Sequence, residues 1–436
     1  MKDYAEKDLK RSLTLIDVVG LGVNAVIGQG IFLLPGLAAA LLGPASLAAL
    51  LVAAGLAFMI ALCFAEVGSR FKTTGGAYAY SREAFGSFVG FEVGWMLCVV
   101  CVVSWAALAN GFTLVLGFFF PEVMQAPLQQ IVALTLMTLM VGVNLRGAKV
   151  GGALSTFCSV AKLIPLAIIV FAGIYAFDSS KFVPFAPMGY ENFPKAVLLL
   201  LYAFVGFESS VVPAGEMEDP RKAVPFSLVS VMTLVCVVYT GVFVACVSIH
   251  PELGGSKSPV SEAAEALFGH GGASIIAAGI VISVLGINAA QALVGPRKVF
   301  AMAERGDLPA FLAKVHKESG VPRNAILATF LFSAVLTVSG RFEQLAVLGV
   351  LARFVQYIAT CLALFVFRAR DFKSEDGPQG FRVPGGPAIS VLTMLLICWL
   401  IYETPGVKLL WGLAAMLLGI PFYFLRRRDS SMPHPD

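Results

Sequence analysis

Two short polar interruptions are the parts of this sequence best equipped to do chemistry. The first, Ile27-Gly28-Gln29-Gly30-Ile31-Phe32, sets two glycines around an amide side chain inside an apolar run. The second, Phe204-Val205-Gly206-Phe207-Glu208-Ser209-Ser210, falls at the corresponding depth of another apolar run five helices later. One glycine pair alone has a competing explanation in close helix packing, which the site reading outweighs. Interruptions at matching positions of two halves point instead to unwound helices lining a site for a small polar solute. Unwinding at the first frees the main-chain amides of Gln29, Gly30 and Ile31, at the end of a half-helix whose dipole favours a carboxylate. It also frees the carbonyls of Ala25, Val26 and Ile27, which suit an ammonium group. The second interruption adds the carbonyls of Ala203, Phe204 and Val205 beside Gly206. Together these groups match both charged ends of an α-amino acid.

Ionisable residues inside apolar segments are functional candidates by default. Glu208 either binds a proton or a cationic group, or accepts hydrogen bonds from freed amides and holds the interruption in shape. Lys162, three residues before Pro165 in an apolar segment, either exchanges a proton during the working cycle or acts as a fixed charge on the carbonyls of the first interruption. For Arg353 the expectation is a structural pairing or a snorkelled head rather than contact with a ligand. Glu66, Glu83 and Glu92 read as interface or gate salt bridges.

These groups need an apolar scaffold, and composition supplies one. The 436 residues are 58% hydrophobic and 13% charged, with a mean hydropathy of +0.85, which excludes a water-soluble enzyme. A helix crosses the bilayer core in roughly 20 apolar residues. Glycine, proline and charge punctuation then place spans near 13–41, 45–69, 84–119, 127–145, 151–177, 195–217, 225–248, 271–301, 324–339, 343–368, 387–402 and 407–425. Residues 1–12 are polar and of mixed charge, reading as a cytoplasmic segment rather than a cleavable leader.

Basic residues are sorted by loop. With the N-terminus in the cytoplasm, 24 of the 31 lysines and arginines fall on the cytoplasmic side, 5 on the other, and Lys162 and Arg353 within the membrane. This is the positive-inside pattern, and it supports an even number of spans with both termini cytoplasmic. The eight cysteines all lie in apolar segments, where they behave as small hydrophobes. Cys98 and Cys101 form a CxxC that reads as packing. The four histidines fall in loops or the tail and form no metal constellation. The sequence calls for no cofactor, metal or nucleic acid, and contains no nucleophile triad or phosphate-binding loop.

On three motifs the chain resembles the amino acid-polyamine-organocation transporters along nearly its whole length. They are Gly28-Gln29-Gly30-Ile31-Phe32; Phe204 to Glu208 followed by Gly215-Glu216-Met217-Glu218-Asp219-Pro220-Arg221-Lys222-Ala223-Val224-Pro225; and Arg297 to Pro322 with Arg305-Gly306-Asp307-Leu308-Pro309 and Val315-His316. The resemblance implies an all-α integral membrane protein of about 12 spans, with broken helices 1 and 6. It also implies a five-plus-five inverted repeat, 13–177 and 195–368, then two further helices over 387–425 and a tail from 426 to 436. It implies that Gln29, Gly30 and Ile31 bind a substrate carboxylate while the carbonyls of Val26 and Val205 take the amine. Tyr202 matches an aromatic lid position and Glu208 an acidic position found in part of the family. Lys162 matches the span-five lysine of proton-coupled and exchanging members, where its ammonium replaces the sodium of related folds. Gln29 departs from the usual Ser or Thr, which leaves substrate choice open.

The expected function is amino acid transport across the cell membrane by alternating access, as proton symport or exchange. A cationic amino acid or polyamine carrier is the alternative, because Glu208 adds negative charge. A non-transporting amino acid sensor is a further one, disfavoured by the shortness of the cytoplasmic segments. The expected partners are the amino acid, a proton and the lipid bilayer, with the oligomeric state left open.

Overall fold

A computed structural model describes residues 11–28, 30–117, 119–249, 253–256, 259–339, 342–372, 380–404 and 406–429. Each apolar segment picked out in the sequence carries helix, and seven stretches among the described residues are long and apolar enough to cross a membrane. In chain order the helices are α1 (Leu15–Val26), α2 (Gly30–Leu42), α3 (Ser46–Gly68), α4 (Ala77–Phe85), α5 (Ser87–Leu116), α6 (Leu128–Leu145) and α7 (Ala148–Tyr175). They continue as α8 (Phe193–Phe204), α9 (Pro220–Ile249), α10 (Pro259–Glu304), α11 (Arg323–Ser339), α12 (Phe342–Phe372), α13 (Gly386–Tyr402) and α14 (Gly406–Asp429).

Local chemistry sets the boundaries that matter for the site. Thr14 caps α1 reciprocally with Asp17: the Asp17 amide donates to the Thr14 hydroxyl and the Asp17 carboxylate accepts from the Thr14 amide. The expected span 84–119 starts too early. Gly86, at φ 90°, separates the short α4 from α5, so residues 84 and 85 belong to a different helix. The expected span 195–217 is α-helical only as far as Phe204, and 3-10 turns follow over Phe207–Val211 and Ala214–Glu216. Pro213 lacks the amide an α-helix would need there, and the Ser210 hydroxyl donates to the Phe207 carbonyl at 2.8 Å.

Helix α3 packs on α8 and α9, and α9 on α1, while α5 lies against α10, α11 and α12, and α7 against α1, α9 and α10. Outward faces are apolar: Phe157, Ile164, Phe171 and Ile174 on α7, Leu331 and Phe332 on α11, and Leu395 and Leu418 on α13 and α14 are all exposed. Inside lie Asn24, Lys162, Glu208 and Asn288. Apolar groups outside and polar groups within are what a lipid solvent selects, and the chain is a multi-pass membrane protein.

One end of the bundle is tied by ion pairs. Arg297 on α10 holds Glu216 through Nε at 2.5 Å and a second nitrogen at 2.9 Å, both side chains fully buried. Arg368 holds Glu66 at 2.6 and 2.7 Å, Arg370 meets Glu83 at 3.2 Å, and Asp307 accepts from both Tyr78 and Arg82. Leu13 forms a parallel bridge with Met217. The salt bridges expected of Glu66 and Glu83 are present. Glu92 differs: it packs against α14, and neither carboxylate oxygen has a hydrogen-bond partner among the described residues.

Candidate functional site

The two interruptions meet at the centre of the bundle. Helix α1 ends at Val26, the Ile27 amide closes its last turn on the Val23 carbonyl, and α2 restarts at Gly30. Helix α8 ends at Phe204, and Gly206 turns the chain with φ 119°. A side chain there would be strained, and its Cβ would also overlap the Ala25 carbonyl. Glycine at 206 therefore lets one break touch the other.

Each break is satisfied by different chemistry. At the first, the Lys162 ammonium of α7, fully buried, donates to the Ile27 carbonyl at 2.6 Å and to the Ser283 carbonyl of α10 at 3.2 Å. The Ser283 hydroxyl donates to the same Ile27 oxygen at 3.0 Å. The Tyr239 hydroxyl of α9 lies 3.2 Å from the Val26 carbonyl and 3.1 Å from that of Ala203, so its one proton is shared between the breaks. No salt bridge to Lys162 occurs among the described residues.

At the second break the holder is a carboxylate. Glu208 Oε2 accepts from the Gly206 amide at 3.0 Å and from the Tyr357 hydroxyl at 3.1 Å. Its Oε1 accepts from Arg353 Nε at 3.2 Å and Gln356 Nε2 at 3.3 Å. Both oxygens are engaged, and Glu208 is 3% exposed. Arg353 thus has the structural pairing expected of it.

A cavity opens between the breaks and α5, with about 830 Å³ of empty space, mouth included. Main chain of Ala25, Val26, Gly28 and Gly30 forms one side, joined by Tyr202, Ala203, Val205 and Gly206. Ser104, Ala107 and Leu108 of α5 face them, with Ile287 and Gln291 of α10, Ser209, and Arg353 of α12. Tyr202 is 39% exposed, as a ring at a cavity wall should be. Ile27, Ile31 and Glu208 lie outside the wall. Ile27's carbonyl is taken up by Lys162 and Ser283, and Ile31 is buried in the core. Gln29 lies outside the described residues.

Sequence reading passed over Tyr239, Ser283, Tyr357, Ser104 and Gln291. A hydroxyl or amide in an apolar helix gives only a weak signal, since a serine can equally bond its own helix and a tyrosine can equally serve as packing. Their importance comes from which distant carbonyl or carboxylate they reach. Among the described residues no group of histidine, cysteine or acidic side chains is arranged to hold a metal, and all eight cysteines are free.

A cavity walled by two unwound helices in an apolar bundle is the arrangement of a carrier, and comparison with known proteins agrees. The model of the amino acid permease family matches residues 13–419. The chain is 28% identical to the serine/threonine exchanger SteT of Bacillus subtilis, over 98% of this chain and 99% of that one. It is also 28% identical to the branched-chain amino acid permease BcaP of Bacillus subtilis, over 98% and 95%. With the methylthioribose transporter of the same organism it shares 27% identity over 98% and 95%. A family match covering nearly the whole chain, on a multi-pass bundle built around two helix breaks, makes this protein a member of the amino acid permease family, an amino acid transporter and not an enzyme.

Proposed function

We propose that the protein carries an amino acid across the cell membrane by alternating access, with proton movement on and off Lys162 as its coupling step. The observation that carries this reading is the Lys162 ammonium seated on the Ile27 and Ser283 carbonyls, where it joins α7, α10 and the first break. A proton leaving Nζ removes the charge that holds these carbonyls, and the end of α1 is then free to shift against α7 and α10. The substrate carboxylate sits at the start of α2, where Gly30 lines the cavity, and its amine on main-chain carbonyls at the cavity wall. Tyr202 closes over it.

The packing supports a five-plus-five repeat over 13–177 and 195–368, with twelve spans in all. Exchanging each helix for its counterpart turns the α5/α12 contact into α10/α7, the α3/α8 contact into α9/α1, and the α5/α11 contact into α10/α6; each is made in the structure. The sorting of basic residues supports cytoplasmic termini. That orientation puts the ion-paired end, with Arg297 and Glu216, on the cytoplasmic side.

A second reading is obligatory exchange, with Lys162 a fixed tie. It is favoured by the relative named as a serine/threonine exchanger. Uptake of radiolabelled amino acid into proteoliposomes separates the two. Accumulation driven by an inward proton gradient into empty vesicles is expected for symport. Uptake that requires internal amino acid and ignores the gradient would replace it with exchange, and no flux under either condition would contradict transport.

A further inference from the structure

Charge and hydrogen bonding around the cavity bear on which amino acids enter it. Glu208 suggested, from sequence, a pocket for cations. In the folded chain its two oxygens take four hydrogen bonds, from Gly206, Tyr357, Arg353 and Gln356, and it is not part of the cavity wall. The only Lys, Arg, Asp or Glu side chain among the described residues of that wall is Arg353. Arg353 thus stands on the wall beside a carboxylate that already takes four hydrogen bonds. The remaining polar side chains of the wall, Ser104, Tyr202, Ser209 and Gln291, are neutral.

We propose that Arg353 is the specificity-determining residue, and that the cavity selects amino acids whose side chains carry an oxygen acceptor while rejecting those with cationic side chains. The inference rests on the transport reading above and deepens it. A guanidinium is a donor-only group with a fixed fan of N–H bonds, so it rewards a hydroxyl, amide or carboxylate oxygen and repels an ammonium. Glu208 offsets part of that charge, but no acidic side chain among the described residues of the wall offers a lysine or arginine substrate a partner. The main-chain wall from the two breaks offers the α-amino and α-carboxylate groups the same contacts whatever the side chain, so discrimination falls to the side-chain wall. A site that hydrogen-bonds a substrate oxygen discriminates strongly against the analogue lacking it.

The test compares serine with alanine, which differ by one hydroxyl, in proteoliposomes. Wild-type serine uptake should be blocked by unlabelled threonine, asparagine or aspartate and left unchanged by lysine or arginine at the same concentration. In the double variant Glu208→Gln/Arg353→Gln, which removes both charges together, the serine-to-alanine ratio of initial rates should fall at least about tenfold. Arg353→Lys, which keeps the charge but not the fork, should give an intermediate ratio. Transport of lysine or arginine by the wild type would overturn the proposal, and that arm needs no variant. Equal loss of serine and alanine would also overturn it, by placing the guanidinium on the α-carboxylate. Absence of flux for every amino acid in the wild type would overturn the transport reading itself.

Discussion

The two helix breaks solve the same problem with opposite charges. At the first, a buried ammonium and two hydroxyls donate to freed carbonyls; at the second, a buried carboxylate accepts from a freed amide and three side chains. The second is balanced by Arg353 and nearly saturated, so nothing about it invites change. The first holds a charge with no countercharge beside it among the described residues, supported there by carbonyl dipoles. A carrier needs one rigid reference and one element whose hold can be released. On the proposed transport cycle, the break after α8 takes the rigid role and the break after α1 the released one.

If so, damage to the second break should appear mainly as lost stability. Glu208→Ala removes the carboxylate paired with Arg353 and orphans the Gly206 amide, which should cost about 3–5 kcal/mol. Thermal unfolding in detergent should show a drop of many degrees, and Glu208→Gln, which keeps an acceptor, a smaller one. Gly206→Ala follows, at about 2–3 kcal/mol from the left-handed backbone and the clash with Ala25. Damage to the first break should appear mainly as lost transport. Lys162→Met keeps the bulk and leaves Ser283 on the Ile27 carbonyl, so its stability cost should stay near about 1–2 kcal/mol while uptake is abolished. Tyr239→Phe removes one shared hydrogen bond and should raise the KM for transport roughly fivefold, equivalent to about 1 kcal/mol. A Lys162 variant that unfolds as readily as Glu208→Ala, or a Glu208 variant that is stable but inactive, would break the comparison.

Much of this was legible before any coordinates. Paired glycine interruptions stand out because each sets glycine beside a polar side chain at the matching depth of two apolar runs, and Lys162 stands out because a lone ammonium in a membrane helix demands a partner. What the sequence does not carry is which partner. Tyr239 and Ser283 bond carbonyls more than 200 residues away in the chain, and no local pattern encodes that reach. Glu208 shows the same limit from the other side. Its position in the break was plain, but its charge looked available until Tyr357, Gln356 and Arg353 of α12 were seen to occupy it. The 3-10 turns after Gly206 and the separate α4 were blurred because apolar length alone does not register Pro213 or the positive φ of Gly86.

The most direct test is a side-by-side measurement of amino acid accumulation in proteoliposomes under an inward proton gradient, for the wild type and Lys162→Met, with thermal stability recorded for both. The account predicts that the wild type concentrates its substrate, while Lys162→Met remains folded and does not accumulate it. Superimposable accumulation curves for the two proteins would contradict the assignment of the working charge to the first break.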